Sequence, residues 1–205
     1  MGILKGALSV RRYRVDGEVP EGWRDRYFEA LNEHAFREPL SATHKEEIFG
    51  WVQAHNLLDA EFSDLNRWLY NHYALFSMRV DKKVLPARLF AAHFQKRQET
   101  WCKQMGRERC PPGVREEMKE TLELEMLKTT LPRVQVHECA WNINSGWVLF
   151  HNDSDVVNDR FRKLFLATFQ LRLAPWLPTD ELPDPAQAEA LTALGVSDLR
   201  GGAHG

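Results

Sequence analysis

Residues able to do chemistry are present, but they are not grouped as chemistry requires. His137 and Cys139 stand two apart, on one face of a strand, with His151 as the nearest third donor. Zinc needs three or four such ligands, and residues of these types also simply fill sheet faces. The acids Glu116, Glu117, Glu120, Glu123 and Glu125 share one helix with Lys119 and Lys128. That mixture reads as a solvated helix face rather than the carboxylate cluster of a metal-dependent nuclease. Asp153 and Asp155 beside Asn152 read as helix-capping residues. No phosphate-binding loop, GxGxxG, GxSxG or HExxH occurs. The seven tryptophans could stack on bases, but Trp23 and Trp101 lie on apolar stripes and Trp147 in a strand, so core packing is the expectation. Neither catalysis nor a cofactor nor a metal is expected.

What remains is charge. The chain's net charge is −2, yet it is polarised: Arg79 to Arg115 holds ten Arg or Lys against three acids, and Pro178 to the end holds five acids against one Arg. Phosphate contacts need cations spaced along a rigid element and make no demand for a base-reading motif. The candidate DNA-binding set is Lys82, Lys83, Arg88, Lys96, Arg97, Lys103, Arg107, Arg109 and Arg133. A solvated charged surface is the plainer alternative.

The elements that must position this set follow from periodicity. Leu8 to Val15 reads as a strand, and Pro20-Glu21 opens a helix with Trp23, Tyr27, Leu31 and Ala35 on one stripe. Lys45 to Leu58 is ambiguous between helix and strand. Ala74, Phe76, Met78 and Val80 alternate with Leu75, Ser77, Arg79 and Asp81, the pattern of a half-buried strand. Leu85 to about Arg107 then reads as a helix with Phe90, Phe94, Trp101 and Met105 on its apolar stripe. Pro111-Pro112-Gly113 turns the chain into a second helix reaching Thr130, its buried side being Val114, Met118, Leu122 and Met126. Strands follow at Arg133 to Ile143 and Trp147 to His151, joined at Asn144-Ser145-Gly146. Asn152 or Ser154 caps a last helix with Val157, Phe161, Leu164, Phe165 and Thr168. Strand hairpins with segregated helices predict an α+β fold: an antiparallel-sheet central domain (residues 1–81 and 132–177), an inserted two-helix hairpin (82–131) and a loose acidic tail (178–205).

The 205 residues, 43% hydrophobic, are ample for one packed core. No run of eighteen apolar residues occurs and Met1 to Val10 lacks the layout of a signal peptide, so a cytoplasmic protein is expected. Cys102, Cys110 and Cys139 lack metal-type spacing and are expected to be reduced thiols.

The stretch Lys82-Lys83-Val84-Leu85-Pro86, then about 45 charged helical residues, then Leu131-Pro132-Arg133, resembles the recombination-associated RdgC family, which has a K-x-LP element, a charged helical pair and an LPR element in that order. Lys5 and Arg11 match its opening strand, Gly50-Trp51-Val52 its GWV, and Trp141 with Gly146 its strand hairpin. The resemblance covers roughly residues 3 to 178. It implies a non-enzymatic, sequence-independent DNA-binding protein associated with the nucleoid, forming a homodimeric ring around duplex DNA and restraining a RecA-type recombinase. Its architecture would be a central domain with an inserted helical tip. Two departures stand out. The base domain expected after about residue 178 is replaced by an acidic tail of some 28 residues, which puts encirclement in question, and Gln135 replaces an aromatic residue used near a subunit contact. The alternative is a protein-interaction module that uses the hairpin stripe and the acidic tail.

Overall fold

The computed structural model describes residues 9–182 together with 184, 186, 187, 189 and 190. Lys5, Leu8 and nearly all of the acidic segment after Leu182 lie outside the described residues. The elements run β1 (Arg11–Asp16), α1 (Trp23–Glu33), β2 (Ile48–Gln53), β3 (Leu69–Tyr70), β4 (Tyr73–Lys82), α2 (Ala87–Met105), α3 (Pro112–Thr129), β5 (Arg133–Asn142), β6 (Trp147–Phe150), α4 (Asp155–Phe169) and β7 (Arg172–Pro175). The strands form one antiparallel sheet ordered β2-β4-β5-β6-β1-β7, with β3 beside β4. The fold is α+β.

One face of this sheet carries α1 and α4. Tyr13, Trp51, Phe76, Met78, Cys139, Trp141, Val148 and Phe150 meet Tyr27 and Leu31 of α1 and Phe161, Phe165 and Phe169 of α4 in a single core. Rings make much of the contact: Phe150 stacks on Phe161 at 3.8 Å, and Trp141 meets Phe165 and Phe169 edge-on at 5.2 and 5.1 Å. The ambiguous stretch from Lys45 to Leu58 resolves as strand β2, because Trp51 must project towards α4 while Gly50 faces the other way.

Gly50 explains the Gly-Trp-Val triplet. The chain from His34 to Phe36 runs along β2, with the Phe36 N–H on the Trp51 carbonyl (2.8 Å) and the Trp51 N–H on the His34 carbonyl (3.0 Å). A Cβ on Gly50 would lie 2.5 Å from Phe36 Cα and 2.6 Å from Phe36 N. Those are backbone atoms already held by hydrogen bonds, so they cannot yield as a side-chain tip would. Gly50→Ala is expected to lower stability by about 1–3 kcal/mol, as overpacking does, read as a lower urea midpoint with an unchanged slope. An unchanged midpoint would show that this segment moves freely.

Three sequence expectations need correcting. Strand β4 is buried on both faces, not one: Ser77, Arg79 and Asp81 are 0%, 7% and 6% exposed. The reason is a roof over the second face. Arg79 donates from Nε and Nη2 to the Asp81 carboxylate at 2.8 and 2.7 Å and from Nη1 to the Leu57 carbonyl, with its guanidinium 4.1 Å from the Phe36 ring centre. Arg79 therefore does not belong to the surface charge counted between Arg79 and Arg115. Secondly, periodicity gives no strand after α4, yet Arg172–Pro175 forms β7, which pairs with β1, and a 3-10 turn at Pro178–Glu181 follows. Thirdly, Ser154 precedes α4 without a side-chain cap, and the Asn152 carboxamide oxygen instead accepts the Ser154 N–H.

Candidate nucleic-acid interface

The two-helix hairpin starts where β4 and β5 leave the body of the sheet, with Lys82 directly opposite Arg133. Both are exposed. Pro86 sets an extended residue before α2, since the proline ring fixes φ near −65°. Gly106 then ends α2 in the left-handed region at φ 61°, and the Arg107 N–H turns back to the Cys102 carbonyl at 3.0 Å. Pro112 occupies the first turn of α3, where its missing N–H has no helical partner to lose. Glycine and the proline pair thus build the tight turn between the helices.

The two helices share one seam. Phe90 and Phe94 stack at 6.2 Å, Arg115 lies over Phe94 at 5.8 Å, and Arg97 of α2 bridges to Glu125 of α3. The Arg97 guanidinium holds the Glu125 carboxyl below its usual range. No residue of α2 is buried, and Met105, expected on the apolar stripe, is 58% exposed. On α3, Leu122 and Leu127 are buried, whereas Val114, Met118 and Met126 are only half-buried. A paired projection has one contact surface, so its stripe is narrower than that of a core helix.

The nine candidate cations divide by what they touch. Lys83 Nζ donates to the carbonyls of Ala42 and Leu127, both at 2.8 Å, and so ties the root of the hairpin to the loop before β2. Arg97 belongs to the seam. Lys82, Arg88, Lys96, Lys103, Arg107, Arg109 and Arg133 are exposed, and among the described residues none of them is in an ion pair. At 3.6 residues per turn, Arg88, Lys96 and Lys103 fall within about 80° of one another on α2, roughly opposite the seam. Glu99 is the acid on that arc, and it accepts from Gln95.

Charge is unevenly shared between the helices. α2 carries four basic residues and one acid; α3 carries three basic residues and five acids. The acids of α3 have local and distant partners: Glu123 pairs with Lys45 at 2.8 Å and Glu116 with Lys119 at 3.6 Å. The hairpin is thus basic on one helix and acidic on the other, a division hidden by counting only as far as Arg115.

Elsewhere, His137 and Cys139 are both buried on β5, Cys139 in the core and His137 with its ring 5.9 Å from that of Phe150. Burial pushes the Cys139 thiol well above its usual range and lowers the His137 imidazole. His137 Nδ1 meets the Asn152 amide at 3.2 Å. Among the described residues no three His, Cys, Asp or Glu side chains gather into a group that could hold a metal. Arg11 is engaged by the start of α4, with Asp155 at 2.7 Å and the Asp153 carbonyl at 2.5 Å. Among the described residues no helix is long and apolar enough to cross a membrane.

A family profile described as "Putative exonuclease, RdgC" matches residues 9–192. No curated protein matches the chain.

Proposed function

The chain belongs to the RdgC family, and on that premise we propose that it binds the DNA backbone without sequence preference, through the outward face of α2. The observation that carries this reading is the alignment of Arg88, Lys96 and Lys103, exposed and, among the described residues, outside any ion pair, on the side of α2 away from α3. Lys82 and Arg133 at the root and Arg107 and Arg109 at the turn extend the same basic character to both ends of the helix. Binding then draws its free energy from release of counterions condensed on the duplex.

The profile's description names an exonuclease; we propose a non-catalytic role instead, which metal-dependent degradation of labelled DNA would overturn. On family membership we extend the proposal to a recombination-associated homodimer at the nucleoid that acts on a RecA-type recombinase.

A salt titration tests the reading. With three phosphates neutralised, log K should fall with log salt with a slope of about −3, or roughly 40-fold between 50 and 200 mM. Fluorescence anisotropy with labelled duplexes of unrelated sequence measures it. Absence of binding at low salt removes the proposal. A protein-binding use of the hairpin is the second reading, favoured by the exposure of Leu89 and Met105 on α2. Its mark would be pull-down of a partner that survives nuclease treatment.

A further inference from the structure

The sheet face away from α1 and α4 carries rings and guanidinium groups in register. Tyr73, Asn142, Trp147, Arg14 and Ala174 lie directly opposite one another across β4, β5, β6, β1 and β7. Two residues along, Leu75, Ala140, Leu149 and Arg12 form the next row, which Trp176 extends through its N–H to the Arg12 carbonyl at 2.9 Å. The residues between these rows, Tyr13, Ala74, Trp141 and Val148, are the ones buried under the helices. The rows themselves therefore point the other way.

Their side chains form a continuous strip. His72 lies 4.3 Å from Tyr73, and Tyr73 lies 5.9 Å from Trp147. Arg12 and Arg14 both sit over the Trp176 ring, at 5.0 and 5.4 Å. Tyr73 and Arg14 are exposed, while Trp147, Arg12 and Trp176 are half-buried. Trp147 is thus not the core tryptophan its strand position suggests. Arg172 stands one row further out, exposed and opposite Asp16. Glu181 approaches Arg12 at 3.5 Å from the edge, and Glu138 shares the face.

From this juxtaposition we propose that the open sheet face binds single-stranded DNA, with unpaired bases against Tyr73 and Trp147 and phosphates on Arg14 and Arg12. Trp176 holds the two guanidinium groups in place by lying beneath them. Five adjacent strands span about 19 Å, room for the two or three bases that a small β-sheet platform stacks. Charge selects the occupant. Arginines interleaved with rings suit a strand that is both anionic and aromatic, whereas a second copy of the chain would meet its own cations here. A duplex, whose bases are already stacked on one another, offers the rings nothing. This face is distinct from α2: Tyr73 and Lys82 stand at opposite ends of β4, about 30 Å apart.

The test is anisotropy with labelled oligothymidylate of about fifteen nucleotides, within the usual single-strand site size, beside a duplex of mixed sequence and an oligouridylate of equal length. Arg14→Glu and Trp147→Ala are each expected to weaken oligothymidylate binding by about tenfold or more, leaving duplex binding within about twofold. Trp147→Phe should keep most of the affinity. Arg14 is exposed, so its variant tests the proposal even if Trp147→Ala fails to fold. An unchanged single-strand affinity, a parallel loss on duplex, or a tenfold preference for oligouridylate overturns the assignment. So does a change in the protein's solution mass caused by Arg14→Glu, which would make the face a contact between copies. The α2 reading fails separately, through duplex binding that ignores Arg88, Lys96 and Lys103.

Discussion

Trp51→Ala is expected to remove about 3–5 kcal/mol of folding free energy, the range for truncating a buried aromatic side chain. Trp51 is wholly buried and joins the edge strand β2 to the rest of the core. Its ring meets Phe76 edge-on at 4.8 Å and lies 6.1 Å from Phe161 and 6.3 Å from Phe169. Its indole N–H donates to Thr168 Oγ1 at 2.7 Å, and that hydroxyl in turn donates to the Leu164 carbonyl. Alanine would leave a cavity between sheet and helix and remove the donor to a buried hydroxyl. A domain with an ordinary stability of about 5–15 kcal/mol would lose a large fraction of it. Trp51→Phe separates the two contributions, because it keeps most of the ring volume and loses only the hydrogen bond, at about 1 kcal/mol. Equal effects from both substitutions, measured by urea unfolding, would show that the packing described for Trp51 contributes nothing.

Reversing Arg88, Lys96 and Lys103 together to glutamate should weaken duplex binding about a hundredfold at physiological salt and reduce the salt slope by about 3. The loss should be the same for every sequence, since phosphate contacts carry no base information. All three residues are exposed on α2, so the fold should tolerate the change. Arg97 and Lys83 are the internal controls. Arg97→Ala breaks the bridge to Glu125, and Lys83→Ala releases the carbonyls of Ala42 and Leu127. Each should loosen the hairpin while leaving the salt slope near its original value. A triple variant with unchanged affinity would move the site away from α2, whatever the fate of the sheet face.

Family likeness and physical reading converge on the same residues for local reasons. Gly50 is a glycine because backbone atoms of Phe36 lie within 2.6 Å of any Cβ there. Trp141 is the core tryptophan of its strand, and Gly146 adopts φ 67° at the β5–β6 turn. Gln135 is exposed on the paired stretch of β4 and β5 beyond the reach of β6, which is where an aromatic residue would need something else to cover it.

By itself the sequence determined most of the element order, the turn into the second helix at Pro111-Pro112, the β5–β6 hairpin and the α+β class. These follow from periodicity and turn chemistry within about ten neighbouring residues. It left β2 ambiguous and missed β7, because Arg172–Pro175 is a four-residue segment ending in proline whose strand character comes from pairing with β1. Tertiary structure alone decided which charges are available. Arg97 meets Glu125 across 28 positions, Lys83 meets Leu127 across 44, and Arg79 disappears beneath Phe36. It also decided that Trp147 and Trp176 join Arg12 and Arg14 on an open face, since those neighbours come from strands distant in the chain. Composition gives the number of cations; which of them water or a polyanion can reach depends on the elements that fold against them.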